Sequence, residues 1–348
     1  MVDVTDTSLP GIMRATLDQW LHANVGLVPE LHYELIAGGR SNLTYRVTDT
    51  TGRSVALRRP PTGHVLPTAH DMAREHRIVS ALAGSPVPVA PVLGFCDDPA
   101  VTGAPFYVMG FVDGAIVRTS ESAAPLSLEQ RGAASQSIID VLADLHALDP
   151  GSVGLDTLGR PDGYIERQLK RWRGQYESMK TVEIPTIDVV AERLHATVPP
   201  QMRSAIVHGD YRLDNVVLHD SGELRAVLDW EICTLGDPLA DLGLLMVYWP
   251  DSADEVGPLA IDPPTALPGF WSRAELAQRY AQRTGADLTR LPYYTGFGYW
   301  KLACILQGVA YRYAHGAGVG GDPKAVEYLG TQVAVLADLA HRALRDDT

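Results

Sequence analysis

Eight residues, "HGDYRLDN" at 208–215, interrupt two short apolar runs, "SAIV" before them and "VVL" after. Two aspartates, an asparagine, an arginine and a histidine cannot be buried without partners. The stretch therefore reads as a turn whose polar groups converge on one centre. Asp210 and Asn215 are five residues apart, and "AVLDWE" places Asp229 fourteen beyond Asn215. Two neighbouring turns thus deliver an oxygen-rich set, which suits Mg2+, a hard cation that shares its ligands with phosphate. Asn215 and Asp229 are the natural metal ligands, and Asp210 is left to accept a proton from an attacking hydroxyl. That division of labour belongs to phosphoryl transfer, where positioning and charge neutralisation supply most of the catalysis.

Composition narrows the alternatives. With 348 residues, 46% hydrophobic and 20% charged, the chain can form one large domain or two lobes that each bury a core. No window reaches the ~18 uninterrupted apolar residues of a membrane span. The start "MVDVTDTSLPGIMR" lacks the basic-then-apolar layout of a signal peptide. Three dispersed cysteines, Cys96, Cys233 and Cys304, have no metal-ligand spacing. A reduced, cytoplasmic protein is expected. A net charge of −13 argues against nucleic acid or an anionic membrane as partner. Residues 1–110 hold 8 basic against 10 acidic side chains, and the remainder 21 against 32, so the acidic excess lies C-terminally.

The hydrophobic pattern changes along the chain. "LPGIMRATLDQWLHANV" places Ile12, Met13, Leu17, Trp20 and Leu21 on one helical face. "LHYELIAGG" and "NLTYRVTDTTGRSVALRRP" then read as strands joined by turns, with "DTTGR" as a hairpin connection. A helix over "LPTAHDMAREHRIVSALAG", buried through Met72, Ile78, Val79 and Leu82, precedes strands in "VPVAPVLGFCDDP" and "PFYVMGFVDG". From about residue 126 the chain is mainly helical, interrupted by short strands around the 208–215 turn. The expected fold is α+β. Its small lobe, residues 1–110, holds an N-terminal helix, an antiparallel sheet and one helix, and residues 111–348 form a larger helical lobe.

"H-G-D-x-x-x-x-N" followed by "L-D-W-E" resembles the aminoglycoside phosphotransferase family, a branch of the protein-kinase-like two-lobe fold. The resemblance runs through nearly the whole chain and implies roles for further residues. "AGGRSNLTYRV" matches the loop that folds over nucleotide phosphates, which gives Gly38 and Gly39 close backbone approach and Ser41 a donor to phosphate. "SVALRRPP" resembles the strand that carries a phosphate-binding lysine, with Arg58 standing in the lysine's place. Arginine keeps the cation and can bind bidentately, but its reach differs. Glu75 is implied as the acid that orients Arg58, although alone it would read as a solvated helix charge. "FYVMGFVDG" resembles the hinge, where Met109 precedes the contacts of the Gly110 carbonyl and the Val112 amide with adenine. Asp241 in "GDPLADLG" and His208 are implied to brace the catalytic loop. Arg212, two residues past Asp210, is placed to face the transferred phosphoryl group. Asp214 receives no role.

ATP and Mg2+ are therefore the expected cofactors, and a small-molecule hydroxyl compound the expected acceptor. Oligomeric state is not legible. "RSNLTYRV", "GAPFYVMGFVDG" and "HGDYRLDNVVLH" most resemble the kinase-like domain fused to some acyl-CoA dehydrogenases and its stand-alone bacterial relatives. That likeness implies a metabolic acceptor such as a hydroxyacyl-CoA. Arg167, Lys170, Arg171 and Arg173 cluster on one predicted helix and would suit a CoA phosphate tail, although a solvated face is the simpler reading. The acidic C-terminal part suits the competing acceptor, a polycationic aminoglycoside. A second class of function, a nucleotide-binding module without catalysis, has only Arg58 in its favour. A serine hydrolase lacks the G-x-S-x-G elbow, and a metallohydrolase would need closely spaced histidines. The Pro- and acid-rich segment 250–270 reads as a loop on the substrate side.

Overall fold

The structure of the protein, a computed structural model, describes residues 9–36, 42–62, 70–251, 262–315, 323–345 and 347. The chain folds into two compact units. The first comprises residues 1–113 together with 225–231, and the second 114–224 with 232–348.

In the first unit, α1 (Arg14–Val25) buries Leu17, Leu21 and Val25. It begins only at Arg14, so Ile12 and Met13, expected on its apolar face, precede it, after the turn at Gly11 with φ +76°. The strands β1 (His32–Leu35), β2 (Leu43–Thr48) and β3 (Ser54–Arg59) form a meander. Helix α2 (Met72–Leu82), strand β4 (Val92–Cys96), the one-turn helix α3 (Pro99–Thr102) and strand β5 (Phe106–Gly110) complete it. The five strands lie in the order β1-β2-β3-β5-β4, and each neighbouring pair is antiparallel. The core gathers Leu17, Leu21, Tyr45, Val47, Val55, Leu57, Phe106 and Val108, the alternate inward positions of the strands. Helix α2 starts at Asp71, which accepts a hydrogen bond from the Arg74 amide as an N-cap does. Its buried stripe is Met72, Ile78, Val79 and Leu82, with Glu75 inside it.

The second unit opens with α4 (Ser120–Ala123), α5 (Leu128–Ala147), α6 (Tyr164–Met179) and α7 (Pro185–Ala196). Ser127 and Gln130 form a capping box that starts α5. Strands β6 (Ala205–Val207) and β7 (Val216–Leu218) flank the polar loop. Strand β8 (Leu224–Val227) then carries the chain back to the first unit. A short strand not expected from the sequence, β9 (Thr234–Gly236), pairs antiparallel with β6. It is followed by α8 (Pro238–Val247), α9 (Arg273–Thr284), α10 (Leu291–Ala314) and α11 (Pro323–Arg345). The core of this unit joins α6, α7, α8, α10 and α11 through Tyr164, Leu169, Trp172, Leu244, Phe297, Trp300, Leu336 and Ala340. Among the described residues no helix is long and apolar enough to cross a membrane.

Candidate active site

Register within the first unit's sheet builds the first charged cluster. Arg58 on β3 lies opposite Thr44 on β2 and Tyr107 on β5. Arg58 Nε sits 2.7 Å from Glu75 Oε1, and the Tyr107 hydroxyl donates to the same carboxylate oxygen at 3.0 Å. The Nε–H does not point along the contact, so it is an ion pair without hydrogen-bond geometry. The other arm of the guanidinium reaches Asp229, with Nη2 2.5 Å from Oδ1, and Glu231 Oε2 lies 3.7 Å away. Glu231 in turn accepts a hydrogen bond from Asn42 Nδ2 at 3.0 Å. One cation thus serves three carboxylates.

Burial falls unequally on this pair. Desolvation works against the Arg58 charge, but Glu75 and Asp229 outweigh it and hold the guanidinium charged. Glu75 is pushed up from its ordinary value by its own burial, which Arg58 only partly offsets while Asp229 adds to it. Asp229 is the only described non-glycine residue with left-handed backbone, at φ +63°. Asp tolerates that region better than most residues, and such outliers cluster where a side chain must be re-aimed.

The second unit builds its cluster on backbone. The loop leaves the buried strand β6, and its side chains alternate in depth. His208, Tyr211 and Leu213 are buried, whereas Asp210, Arg212 and Asp214 are partly exposed. The Tyr211 hydroxyl donates to the Ile138 carbonyl at 2.8 Å and ties the loop to α5. Gly209 turns the chain with φ +86°, a conformation that glycine adopts without steric cost.

Asp241, buried in the first turns of α8, accepts from the His208 amide at 2.6 Å and the Gly209 amide at 2.8 Å. The Asp210 amide donates to His208 Nδ1 at 3.2 Å. Burial would raise the Asp241 carboxyl, but His146, His208 and the Gly209 amide together hold it below its usual value. His146 Nε2 lies 3.4 Å from Asp241, and its Nδ1 is 2.7 Å from the Tyr280 hydroxyl. Lys301 on α10 donates to the Gly209 carbonyl at 2.8 Å.

The side chains at the tip are also arranged. Asn215, in the 3-10 turn Leu213–Asn215, donates from Nδ2 to the Asp210 carbonyl at 2.9 Å and to Asp210 Oδ2 at 3.0 Å. Arg212 Nε donates to the same Oδ2 at 3.2 Å, and Nη1 pairs with Asp214 Oδ2 at 2.7 Å. The guanidinium lies over the Tyr248 ring, 4.8 Å from its centroid. Its charge is held by Asp210, Tyr248 and Asp214 against the cost of burial. One Asp210 oxygen is thereby held by two donors, while Oδ1 takes no hydrogen bond among the described residues. Because the Asn215 amide nitrogen is committed to Asp210, its Oδ1 is the atom left to meet a cation.

Met109 and Gly110 end β5, with the Gly110 amide donating to the Pro91 carbonyl at 2.8 Å. Val112 is half-buried beyond the strand. Gly38, Gly39 and Ser41 lie outside the described residues, as does 252–261 of the 250–270 segment. On α6, Lys170, Arg171 and Arg173 are exposed. Arg167 is not available with them, because its guanidinium donates to the Arg160 and Asp162 carbonyls.

Lys301, His146 and Tyr248 were not legible as site residues, and Asp214 gains a partner that the sequence did not assign. A lysine at position 301 inside the apolar run "FGYWKLACILQG" was the available signal. Among the described residues no group of three or more His, Cys, Asp or Glu could hold a metal ion by itself. A cavity of about 440 Å³ in the second unit, lined by Pro199, Met202, Leu239, Tyr280 and Tyr294, includes none of the loop residues.

Comparison with known proteins places this geometry. Residues 32–294 match the phosphotransferase enzyme family. A crystal structure from Ralstonia eutropha JMP134, named as a candidate aminoglycoside phosphotransferase, is 31% identical with a TM-score of 0.77, covering 94% of this chain and 98% of that one. The ternary complex of streptomycin, ATP and the aminoglycoside phosphotransferase APH(2")-IIa shares the fold, with 15% identity and a TM-score of 0.56 over 88% of this chain and 91% of that one. Acyl-CoA dehydrogenase family member 10 of Mus musculus is 37% identical over 275 residues, 78% of this chain and 25% of that protein. The chain spans 25–36% of the length of the first curated relatives it matches.

Proposed function

Because the chain belongs to the phosphotransferase enzyme family, we propose that this small-molecule phosphotransferase moves the terminal phosphoryl group of ATP to a hydroxyl of its acceptor, with Asp210 as the base. The observation that carries the reading is the asymmetry of the Asp210 carboxylate. Oδ2 is held by Asn215 and Arg212, while Oδ1 takes no hydrogen bond among the described residues.

In this mechanism the acceptor hydroxyl gives its proton to Asp210 Oδ1 as its oxygen bonds to the γ-phosphorus. The bond from that phosphorus to the bridging oxygen breaks, and ADP leaves with the electron pair. Asp210 then releases its proton to solvent. Arg212, already anchored by Asp214 and Tyr248, offsets charge on the phosphoryl group. Arg58, fixed by Glu75, binds phosphate of the nucleotide, and Gly38, Gly39 and Ser41 contribute backbone and hydroxyl donors. The Gly110 carbonyl and Val112 amide, beyond Met109, receive the base edge. Asn215 Oδ1 and the Asp229 carboxylate would hold magnesium, which would supply charge neutralisation on the phosphates. ATP in the related ternary complex supports the choice of nucleotide.

For the acceptor, the exposed Lys170, Arg171 and Arg173 favour an anionic compound such as a hydroxyacyl-CoA. The acyl-CoA dehydrogenase relatives point the same way, and aminoglycosides are the competing class. The deciding experiment is Mg-ATP turnover over a panel of hydroxyacyl-CoAs and aminoglycosides, with Asp210→Ala alongside. The variant should lose about 10²–10⁴-fold in turnover, the range for a positioned base, and near-full activity would remove Asp210 from that role. ATP binding with no transfer to any hydroxyl compound would favour a nucleotide-binding module instead. Reversing Arg171 and Arg173 to glutamate should raise KM for a CoA acceptor and leave an aminoglycoside's KM unchanged. Equal KM values in both proteins would return α6 to a solvated face.

A further inference from the structure

We propose that Lys301 is a positioning residue for phosphoryl transfer, its buried ammonium fixing the peptide unit that aims Asp210. The role rests on the reading of Asp210 as the base. The peptide joining Gly209 to Asp210 is gripped at both ends. Its carbonyl accepts from Lys301 Nζ at 2.8 Å, and its N–H donates to His208 Nδ1 at 3.2 Å. The preceding two amides, of His208 and Gly209, both go to Asp241. Three consecutive N–H groups and one carbonyl therefore take buried side chains as partners. Gly209, with φ +86°, lets the chain reverse so that a cation meets a carbonyl and an anion meets the amides.

The cost of this arrangement argues for a purpose. Lys301 is 6% exposed, on a helix whose neighbours Trp300, Leu302 and Ala303 are core residues. Burying an ammonium is unfavourable by several kcal/mol before compensation, and an apolar residue of similar volume would pack there without that penalty. Desolvation pulls Lys301 below its ordinary value, with Asp210 and Asp241 opposing that pull and Arg171 adding to it. The Trp172 ring, whose centroid is 5.8 Å from Nζ, covers the ammonium and interacts with it favourably. A charged donor also polarises the peptide, so the Asp210 N–H becomes a stronger donor to His208. Lys301 touches neither nucleotide nor acceptor in this scheme. It acts through the backbone.

Lys301→Met and Lys301→Gln in the full chain test this, the second keeping a neutral donor. Two readouts are compared with wild type: Mg-ATP turnover on the acceptor found in the panel, and amide hydrogen exchange of residues 205–216 without nucleotide. Lys301→Met should lower kcat by about 10²-fold, as a small misplacement of a reacting group does. KM for ATP should stay within about twofold, and exchange at residues 208–210 should quicken by about tenfold. Lys301→Gln should recover part of both effects, and it carries the test alone if Lys301→Met does not fold. Unchanged kcat overturns the proposal. So does a fall in kcat with unaltered loop exchange, or faster exchange spread equally over every helix with no recovery in Lys301→Gln. Wild-type protein that transfers phosphate to no acceptor removes the base reading, and this role falls with it. Loss confined to the Lys301 variants with unaltered exchange removes this inference alone.

Discussion

Arg58, half-buried in the first unit, and Asp241, buried in the second, are both charged side chains that organise a site, and they do so in opposite ways. Arg58 holds other side chains: Glu75 at 2.7 Å and Asp229 at 2.5 Å. Asp241 holds main chain, through two amides of the loop that carries Asp210. Side-chain ion pairs leave freedom to exchange partners, which suits a cation that is to meet phosphate. Backbone hydrogen bonds fix direction, which suits a base that must meet one proton. The first cluster has one cation among three carboxylates, whereas in the second the Asp241 carboxylate meets two loop amides and His146, and Lys301 takes the Gly209 carbonyl.

If this contrast holds, Arg58→Met should be the most damaging change to stability. It strands Glu75 as a buried charge, at a cost of about 3–5 kcal/mol, and Arg58→Lys should restore much of it without spanning both acids. Chemical denaturation measures both, and equal midpoints for all three proteins would break the comparison. Asp241→Asn should cost less, about 1.5–3 kcal/mol for hydrogen bonds to a charged group. Its effect should also depend on pH. The Asp241 carboxyl is held below its ordinary 3.8, so its contribution is present above that pH and is lost as pH falls through the folded-state value. The gap between wild type and variant should therefore be full at neutral pH and narrow below 3.8. A gap that stays constant on acidification would refute the assignment. Smallest of the three, Gly209→Ala should cost about 1–2 kcal/mol for left-handed backbone. Its new Cβ would also meet Ile232 Cγ1 at 3.0 Å, and a thermal melt indistinguishable from wild type would show that the loop accommodates it.

Much of this was legible because spacing reports local chemistry. The polar turn at 208–215 between two short strands was legible from its residue types, and the long helices from apolar periodicity. Glu75 was not legible from its helix alone, where it reads as a solvated charge; only the resemblance implied the pairing with Arg58 that the structure shows at 2.7 Å. Lys301 was hidden, because its target is a backbone carbonyl 92 positions away and main-chain groups leave no trace in residue identity. Asp214 was hidden for another reason. Its 2.7 Å pairing with Arg212 depends on local backbone, in which an extended Arg212 precedes the 3-10 turn Leu213–Asn215. The short strand β9 has too few residues, Thr234–Gly236, to show any alternation.

The return of residues 225–231 to the first unit has a consequence for how the chain is made. When residue 113 leaves the ribosome, Arg58 can already find Glu75, but Asp229 has not yet been translated. The nascent unit carries a guanidinium with two of its three counter-charges missing until synthesis passes residue 231. Completion of the first unit thus waits on nearly half of the second, and a fragment cut after residue 113 would be born without the acid that Arg58 grips at 2.5 Å.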